Sequence, residues 1–520
     1  MDTQKAPKKA ARRGRRRSGG DSGASAQIDQ LPWKQPQLRF PPLDLISADQ
    51  IESIHHASLD ILKDIGMEFM SAEARELVKK AGADVDETTH MVRFDPAMVE
   101  EVIKTAPASF RLHSRNPLKN LEIGGGYITN CCVGSPPNAS DIDNGRRSGN
   151  TADYQNLLRL AQYFNIIHMI GGYPVEPTDR HVSTRHLLCT RDMLTLTDKV
   201  ISGYSLNRSA IRDVIEMVRI VRQVSHEQLD QEPSLISIIN TNSPLKFDGA
   251  MLEGILEVSA RNQVIVVTPF TLAGAMAPVT LAGALAQQNA EALAGIVMTQ
   301  LVRPGAPVIY GGFTSNVDMK TGAPAFGTPE YMKTAIVGGQ LARRYNVPYR
   351  TSNVNAANAV DAQAAYESVF SLWGTTMGGG NLIKHAAGWM EGGLVASYEK
   401  LVLDADLLQM VSQFLEPMDI NEEEFGLDSI VEAGVGGHFF GTAHTQARYK
   451  NAFYSPIISD WRNFENWHEA GSPQAFEKAN KVWKQALADY KEPPIDAVAL
   501  AELDAFIDRR VAEGGIATDF

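Results

Sequence analysis

The sequence predicts an α/β protein built on a (β/α)8 TIM barrel, with an N-terminal helical region and an aromatic-rich, helical C-terminal extension. Three observations carry this prediction. Eight short apolar runs recur at 127–133, 166–172, 199–204, 234–240, 264–268, 307–312, 348–353 and 381–386. Segments with helical apolar spacing separate them, about 12 to 20 residues each. The chain has 520 residues, enough for a barrel of roughly 250–350 residues with attached regions. Eight strands alternating with helices is the count at which a parallel sheet closes on itself. A doubly wound open sheet is the structural alternative. Eight sequential units with no dinucleotide fingerprint favour closure.

Taken in order, residues 1–30 form a basic tail. Its first 17 residues carry eight Lys and Arg, from Lys5 to Arg17, against Asp2 alone, and Gly, Ser and Ala supply most of the rest of the tail. Such a composition builds no core and predicts a solvated, disordered leader. It has no apolar stretch of the secretory kind. Residues 31–115 read as a helical preface. Ser47 with Gln50 matches a capping box, Ile51, Ile54, Leu59, Ile61 and Leu62 follow with helical spacing, and further helices are expected at 72–81 and 96–105. The barrel is placed at 116–411, with helices at 151–164, 210–224, 279–301, 329–345 and 362–377. Residues 412–520 form the extension, which carries Phe439, Phe440, Tyr449, Phe453, Trp461, Phe464 and Trp467 and ends in a helix at 498–513. It is expected to pack on the barrel or on a second subunit; in the second case the protein is a homo-oligomer, and the sequence leaves the two alternatives open.

Composition narrows the function. The formal net charge is −12 despite the basic tail, so the body is more acidic than the total and is a poor nucleic-acid partner. The uncharged stretch 262–290 is broken by Pro269 and Pro278; it reads as strand, loop and helix, not a membrane span. Cys131, Cys132 and Cys189 are the only cysteines. They form no CxxC pair and no disulfide framework, which points to the reducing cytoplasm. Adjacent on a strand, Cys131 and Cys132 are expected to face opposite ways as packing residues. His438 and His444 lack metal-ligand spacing. No glycine cluster has P-loop or GxGxxG spacing, and no GxSxG motif supports acyl transfer.

In a barrel of this kind the chemistry sits at the C-terminal strand ends and the loops beyond them. Those positions hold Gly134 and Ser135, Tyr173, Tyr204, Asn240 and Thr241, Thr268, Phe313, Asn353 and His385. The longer loops add Asp318, Phe326 and Glu330, then 355–361, then Trp389 and Glu391. A mixture of aromatics, amides and a few carboxylates suits a compact cation.

Several segments resemble the trimethylamine methyltransferase family: TLAGAMAPVTLAGALAQQNAEALAG (271–295), PGAPVIYG (304–311), GTPE (327–330), DAQAAYE (361–367), HAAGWMEGGL (385–394) and HTQARYKNAFYSPIISDW (444–461). The likeness runs from the helical preface almost to the C-terminus. It implies an enzyme that moves a methyl group from a methylated amine to a corrinoid protein. Archaeal members carry pyrrolysine after strand seven, a slot that aligns with Asn358 when Asp361 and Gln363 anchor the comparison. The chain lacks pyrrolysine and is similar to the branch acting on glycine betaine and related quaternary amines. That likeness implies no tightly bound cofactor, a corrinoid (cobalamin) supplied by a partner protein, and no metal site. It places Tyr204, Phe313, Glu330, Asn358, His385 and Glu391 near the substrate, for cation binding or orientation; Glu330 is also placed to cap a helix. Three other readings stay open: a tertiary-amine (trimethylamine) methyltransferase, a non-catalytic betaine-binding protein, and a metal-assisted lyase on the same barrel.

Overall fold

A computed structural model describes residues 28–517; the basic tail lies almost wholly outside the described residues. The eight apolar runs form eight parallel strands: β1 (Thr129–Cys132), β2 (Met169–Ile170), β3 (Val200–Gly203), β4 (Leu235–Ile239), β5 (Val264–Val267), β6 (Val308–Gly311), β7 (Tyr349–Ser352) and β8 (Leu382–Ala387). Each pairs with its sequence neighbour, and β8 pairs with β1 to close the barrel. The helices α1 (Thr151–Tyr163), α2 (Val182–Leu196), α3 (Arg208–Arg222), α4 (Gly249–Ala260), α5 (Leu281–Val302), α6 (Pro329–Arg344), α7 (Ala362–Met377) and α8 (Tyr398–Phe414) follow the strands in turn.

The strands are buried on both faces, which is why they read as continuous apolar runs. Alternate residues divide the core. Ile201, Leu235, Ile239, Ile265, Val267 and Ile383 belong to the layer shared with the helices. Met169, Val200, Ile236, Val264, Ile309 and Leu382 fill the barrel interior. Cys131 and Cys132 fall in the inner and outer sets respectively, as adjacent strand residues must. A hairpin of Phe110–Leu112 and Leu121–Ile123 adds Leu112, Leu121 and Ile123 to the inner cluster. The expected boundary at 115/116 therefore falls inside this hairpin.

The preface is helical at Ala48–Asp60, Ala72–Lys80 and Pro96–Ile103, and the Ser47–Gln50 capping box is present. It also contains a small sheet that the helical reading did not anticipate. Met67–Phe69, Asp84–Asp86 and Met91–Arg93 pair with one another and with Lys246–Phe247 from the β4–α4 loop.

Two further small sheets lie in the loops beyond the strand ends. Phe270–Ala273 after β5 pairs with Phe313–Val317 after β6, which pairs with Pro324–Ala325. Trp389–Met390 and Val395–Ser397 after β8 join Asn138–Asp141 and Gly145–Ser148 after β1. These sheets hold the mouth loops in register. Among the described residues no helix is long and apolar enough to cross a membrane.

Candidate active site

A cavity of about 300 Å³ opens at the C-terminal end of the barrel. Its upper part is aromatic. Phe270 and Phe313 come from the first residues of the paired strands after β5 and β6, with ring centroids 5.0 Å apart. Trp389 stands across from them, 6.4 Å from Phe313 and edge-on to it. Phe326 backs this wall, stacked on Phe313 at 5.8 Å and edge-on to Trp389 at 5.2 Å.

His385 lies in β8 where the register to β1 shifts, and its φ of 54° is left-handed. The bulge turns the imidazole into the cavity, where it stacks on Trp389 at 5.5 Å. Burial, together with the charges of Lys384 and Arg350, holds the ring well below its ordinary pKa, so it is neutral. Its Nδ1 accepts from the Gly134 amide at 3.3 Å. On the opposite wall the Tyr204 hydroxyl accepts from the Tyr173 amide at 3.1 Å and shares a 2.6 Å hydrogen bond with Ser135. A Cβ at Gly172, whose φ is +124°, would lie 2.4 Å from that hydroxyl; glycine is what lets Tyr204 seat here. Burial pushes the phenol upward, so it stays protonated.

The interior beneath this wall holds two cations. Arg350, the second residue of β7, and Lys384, the third of β8, both line the cavity, and each is under 5% exposed. Their surroundings contain thiols and phenols but no carboxylate. The Nε and Nη1 of Arg350 have no hydrogen-bond partner among the described residues, and its guanidinium lies 5.2 Å from the Phe313 ring centroid. Burial lowers Arg350 to about 10. Burial, reinforced by Arg350, lowers Lys384 to about 8. The lining contains no Asp or Glu. An unpaired buried charge is costly; two side by side, with unfilled donors, describe a receptor for an anionic group. Asn240, Ser205 and Thr268 complete the polar part of the lining, and the Thr268 hydroxyl is also unpartnered.

Of the six residues singled out in the sequence, the cavity brings together Tyr204, Phe313 and His385. The other three lie outside its lining. Asn358 is exposed in the loop after β7. Glu330 sits in the first turn of α6, where a carboxylate favours the helix dipole. Glu391 pairs with Arg146 at 2.9 Å. Arg350, Lys384 and Phe270 were missed. The cations occupy mid-strand positions rather than strand ends. Their signal is a charged residue inside an otherwise apolar, fully buried strand.

Comparison with known proteins agrees with this architecture. A sequence model of the trimethylamine methyltransferase (MTTB) family matches residues 12–515. A glycine betaine methyltransferase of Desulfitobacterium hafniense is 34% identical over 478 residues, covering 92% of this chain and 99% of that one. The trimethylamine methyltransferase MttB2 of Methanosarcina mazei is 27% identical over 476 residues, covering 90% and 95%. Among solved structures, a hydroxylamine complex of MtmB superposes with a TM-score of 0.51 at 12% identity, covering 87% of this chain and 91% of that one. That last likeness concerns the fold alone. With the family model spanning nearly the whole chain, this protein belongs to the trimethylamine methyltransferase family.

Proposed function

We propose that the enzyme transfers a methyl group from a quaternary ammonium carboxylate, glycine betaine being the simplest, to the Co(I) corrinoid of a separate protein. The observation that carries this reading is the buried Arg350–Lys384 pair in a cavity without an acidic residue. A bare cation such as trimethylammonium or choline meets two positive charges there and no counter-charge. A zwitterion brings its own carboxylate to them.

Chain order orients the substrate. The cations lie within β7 and β8, whereas Phe270, Phe313 and Trp389 come after strand ends and stand nearer the mouth. The carboxylate binds Arg350 and Lys384 by charge-assisted hydrogen bonds. The ammonium then rests against the aromatic faces with an N-methyl directed outward. Neutral His385 adds no third positive charge. Transfer breaks the methyl C–N bond and leaves its electron pair on nitrogen. The product is a neutral tertiary amine, so no side chain has to move a proton. Rate enhancement rests on alignment and on exclusion of water by the aromatic wall. Asn358 and Glu391 are assigned to the surrounding loops and Glu330 to the start of α6, not to substrate contact.

The corrinoid is the second substrate. A cavity of about 300 Å³ accommodates a betaine but not a corrin ring, so the acceptor must approach from outside, over the mouth, on its own protein. We place the reaction in the cytoplasm, where a Co(I) nucleophile survives; the three free, buried thiols accord with that.

The test is incubation with Co(I)-cobalamin and a panel of methylated amines, following methylated cobalamin by absorbance. Glycine betaine is expected to react, and trimethylamine and choline are expected not to. Trimethylamine turnover at the betaine rate would overturn the assignment. Betaine binding by calorimetry without methyl transfer, to free cobalamin or to any corrinoid protein, would make the protein a betaine receptor instead.

A further inference from the structure

We propose that Gln288 and Thr314 are positioning residues for the methyl transfer: they fix the strand pair that carries Phe270 and Phe313, and with it the place where the substrate ammonium rests. The inference rests on the reading of the cavity as a betaine site.

Aromatic contact alone does not set that place. Apolar packing is non-directional, and the two strands belong to a small sheet of their own beyond the barrel. A threonine follows each phenylalanine, and the register that pairs Phe270 with Phe313 also pairs Thr271 with Thr314. Successive strand residues point to opposite faces. The rings line the cavity, so the hydroxyls turn away from it, where Thr271 and Thr314 share a hydrogen bond. The Thr314 hydroxyl donates to Oε1 of Gln288 on α5 at 2.5 Å. The Thr314 carbonyl accepts from the Thr334 hydroxyl on α6 at 2.6 Å. One residue thus joins the wall to two barrel helices.

Gln288 is held in a single orientation from the other side. Ser58, on the helix Ala48–Asp60, directs its proton to the carbonyls of Ile54 and Ala286 at 2.8 and 2.9 Å. Toward Asn289 it can only accept. The Asn289 amide nitrogen accordingly donates to Ser58 at 2.9 Å and to the Tyr345 hydroxyl at 2.8 Å. Its Oδ1 is left facing Tyr310, whose hydroxyl donates to it at 3.0 Å. With that proton committed, the Tyr310 oxygen accepts from Nε2 of Gln288 at 3.2 Å, which leaves Oε1 for Thr314. The chain from Ser58 through Asn289, Tyr310, Gln288 and Thr314 to Thr271 therefore has one consistent direction. All six residues are at most 2% exposed, so bulk water does not replace a broken link, and a buried polar group left unpaired is costly.

The carboxylate end of the substrate is held separately, by Arg350 and Lys384 on β7 and β8. Breaking the chain loosens the ammonium end alone. Binding then survives while alignment is lost, and a misplacement of about 1 Å costs on the order of 100-fold in rate.

Thr314→Val exchanges one hydroxyl for one methyl at a strand position, Thr314→Ser keeps the hydroxyl, and Gln288→Met empties both ends of the amide. Thr314→Val and Gln288→Met are expected to lower kcat for cobalamin methylation from glycine betaine by about 30-fold or more. In calorimetry both should bind betaine within about threefold of the wild-type Kd, at unchanged stoichiometry, and Thr314→Ser should recover most of the lost rate. Wild-type kcat in Thr314→Val, or equal losses in the serine and valine variants, overturns the proposal. So does a fall in binding stoichiometry that matches the fall in kcat, because the residues would then hold the fold and not the substrate. Hydrogen exchange followed by mass spectrometry, without substrate, supplies a readout independent of activity. Peptides covering 270–273 and 313–317 are expected to exchange at least tenfold faster in Thr314→Val, with those of β1 to β3 unchanged; unchanged exchange in the wall peptides overturns the anchor. A wild-type enzyme that leaves betaine unreacted overturns the betaine reading and the role in transfer together, whereas an active wild type with unaffected variants overturns this inference alone.

Discussion

Arg350 and Lys384 are buried cations that line the cavity with no carboxylate beside them, and that makes their role measurable. Arg350→Met removes an uncompensated buried charge. The free protein is expected to gain about 1–3 kcal/mol in denaturant unfolding, while glycine betaine binding weakens by about 30-fold or more in calorimetry. Opposite signs in the two measurements separate a ligand-binding cation from a structural one; loss of both stability and binding would make Arg350 structural. Lys384 adds a pH signature. Its ammonium titrates near 8 in the free site, and a bound carboxylate favours the protonated form. Affinity is therefore full below about pH 8 and falls as pH rises above it, by up to about tenfold per unit. In Lys384→Met the overall affinity drops and this alkaline slope disappears. An unchanged slope in the variant would assign it to another group.

At the scale of elements, α8 supports the mouth through one buried ion pair. Lys400 and Asp404 are both 2% exposed at the side chain and 2.5 Å apart, one helical turn from each other. Asp404 also accepts from the Gly388 amide and the Ser368 hydroxyl, each at 2.9 Å. Gly388 precedes Trp389, so this carboxylate ties α7 and α8 to the aromatic wall. Asp404→Ala strands the Lys400 charge and is expected to cost about 3–5 kcal/mol. The double variant Lys400→Met/Asp404→Leu is expected to recover most of that loss in chemical denaturation. Additive losses would show that the two residues act separately. The eight strands and the helices between them were legible because burial on both faces makes each strand a continuous apolar run. The small sheets at the mouth were not. Strands of two to five residues, such as Trp389–Met390 and Phe313–Val317, show too little periodicity to stand out from loops, and their pairing joins segments far apart in the chain.

For the whole molecule, ligand binding and stability are linked. A ligand that binds only the folded chain stabilises it by about 2.7 kcal/mol at one hundred times its Kd. Glycine betaine is expected to raise the thermal midpoint by a few degrees, and choline at the same concentration to leave it in place. Choline carries the same trimethylammonium group without the carboxylate. An equal shift from both would mean that the aromatic wall, and not the cation pair, selects the ligand.

Local chemistry determined much of this protein before tertiary contacts are considered. Eight apolar runs separated by helical segments favoured a closed parallel barrel over an open sheet, and the barrel located the mouth of the site at its strand ends. Long ordered motifs such as HAAGWMEGGL tied the chain to its family. The composition of the site was decided by tertiary structure. Arg350 and Lys384 are ordinary charged residues in sequence and become an anion receptor only when closure turns their faces of β7 and β8 inward, away from water and from any carboxylate. Conversely, the sequence places Glu330, Asn358 and Glu391 at the mouth, yet they sit at a helix start, in an exposed turn and in an ion pair with Arg146, outside the cavity lining. Periodicity encodes which face of an element is buried. Which charges meet there is a long-range property, set by the closure of the sheet.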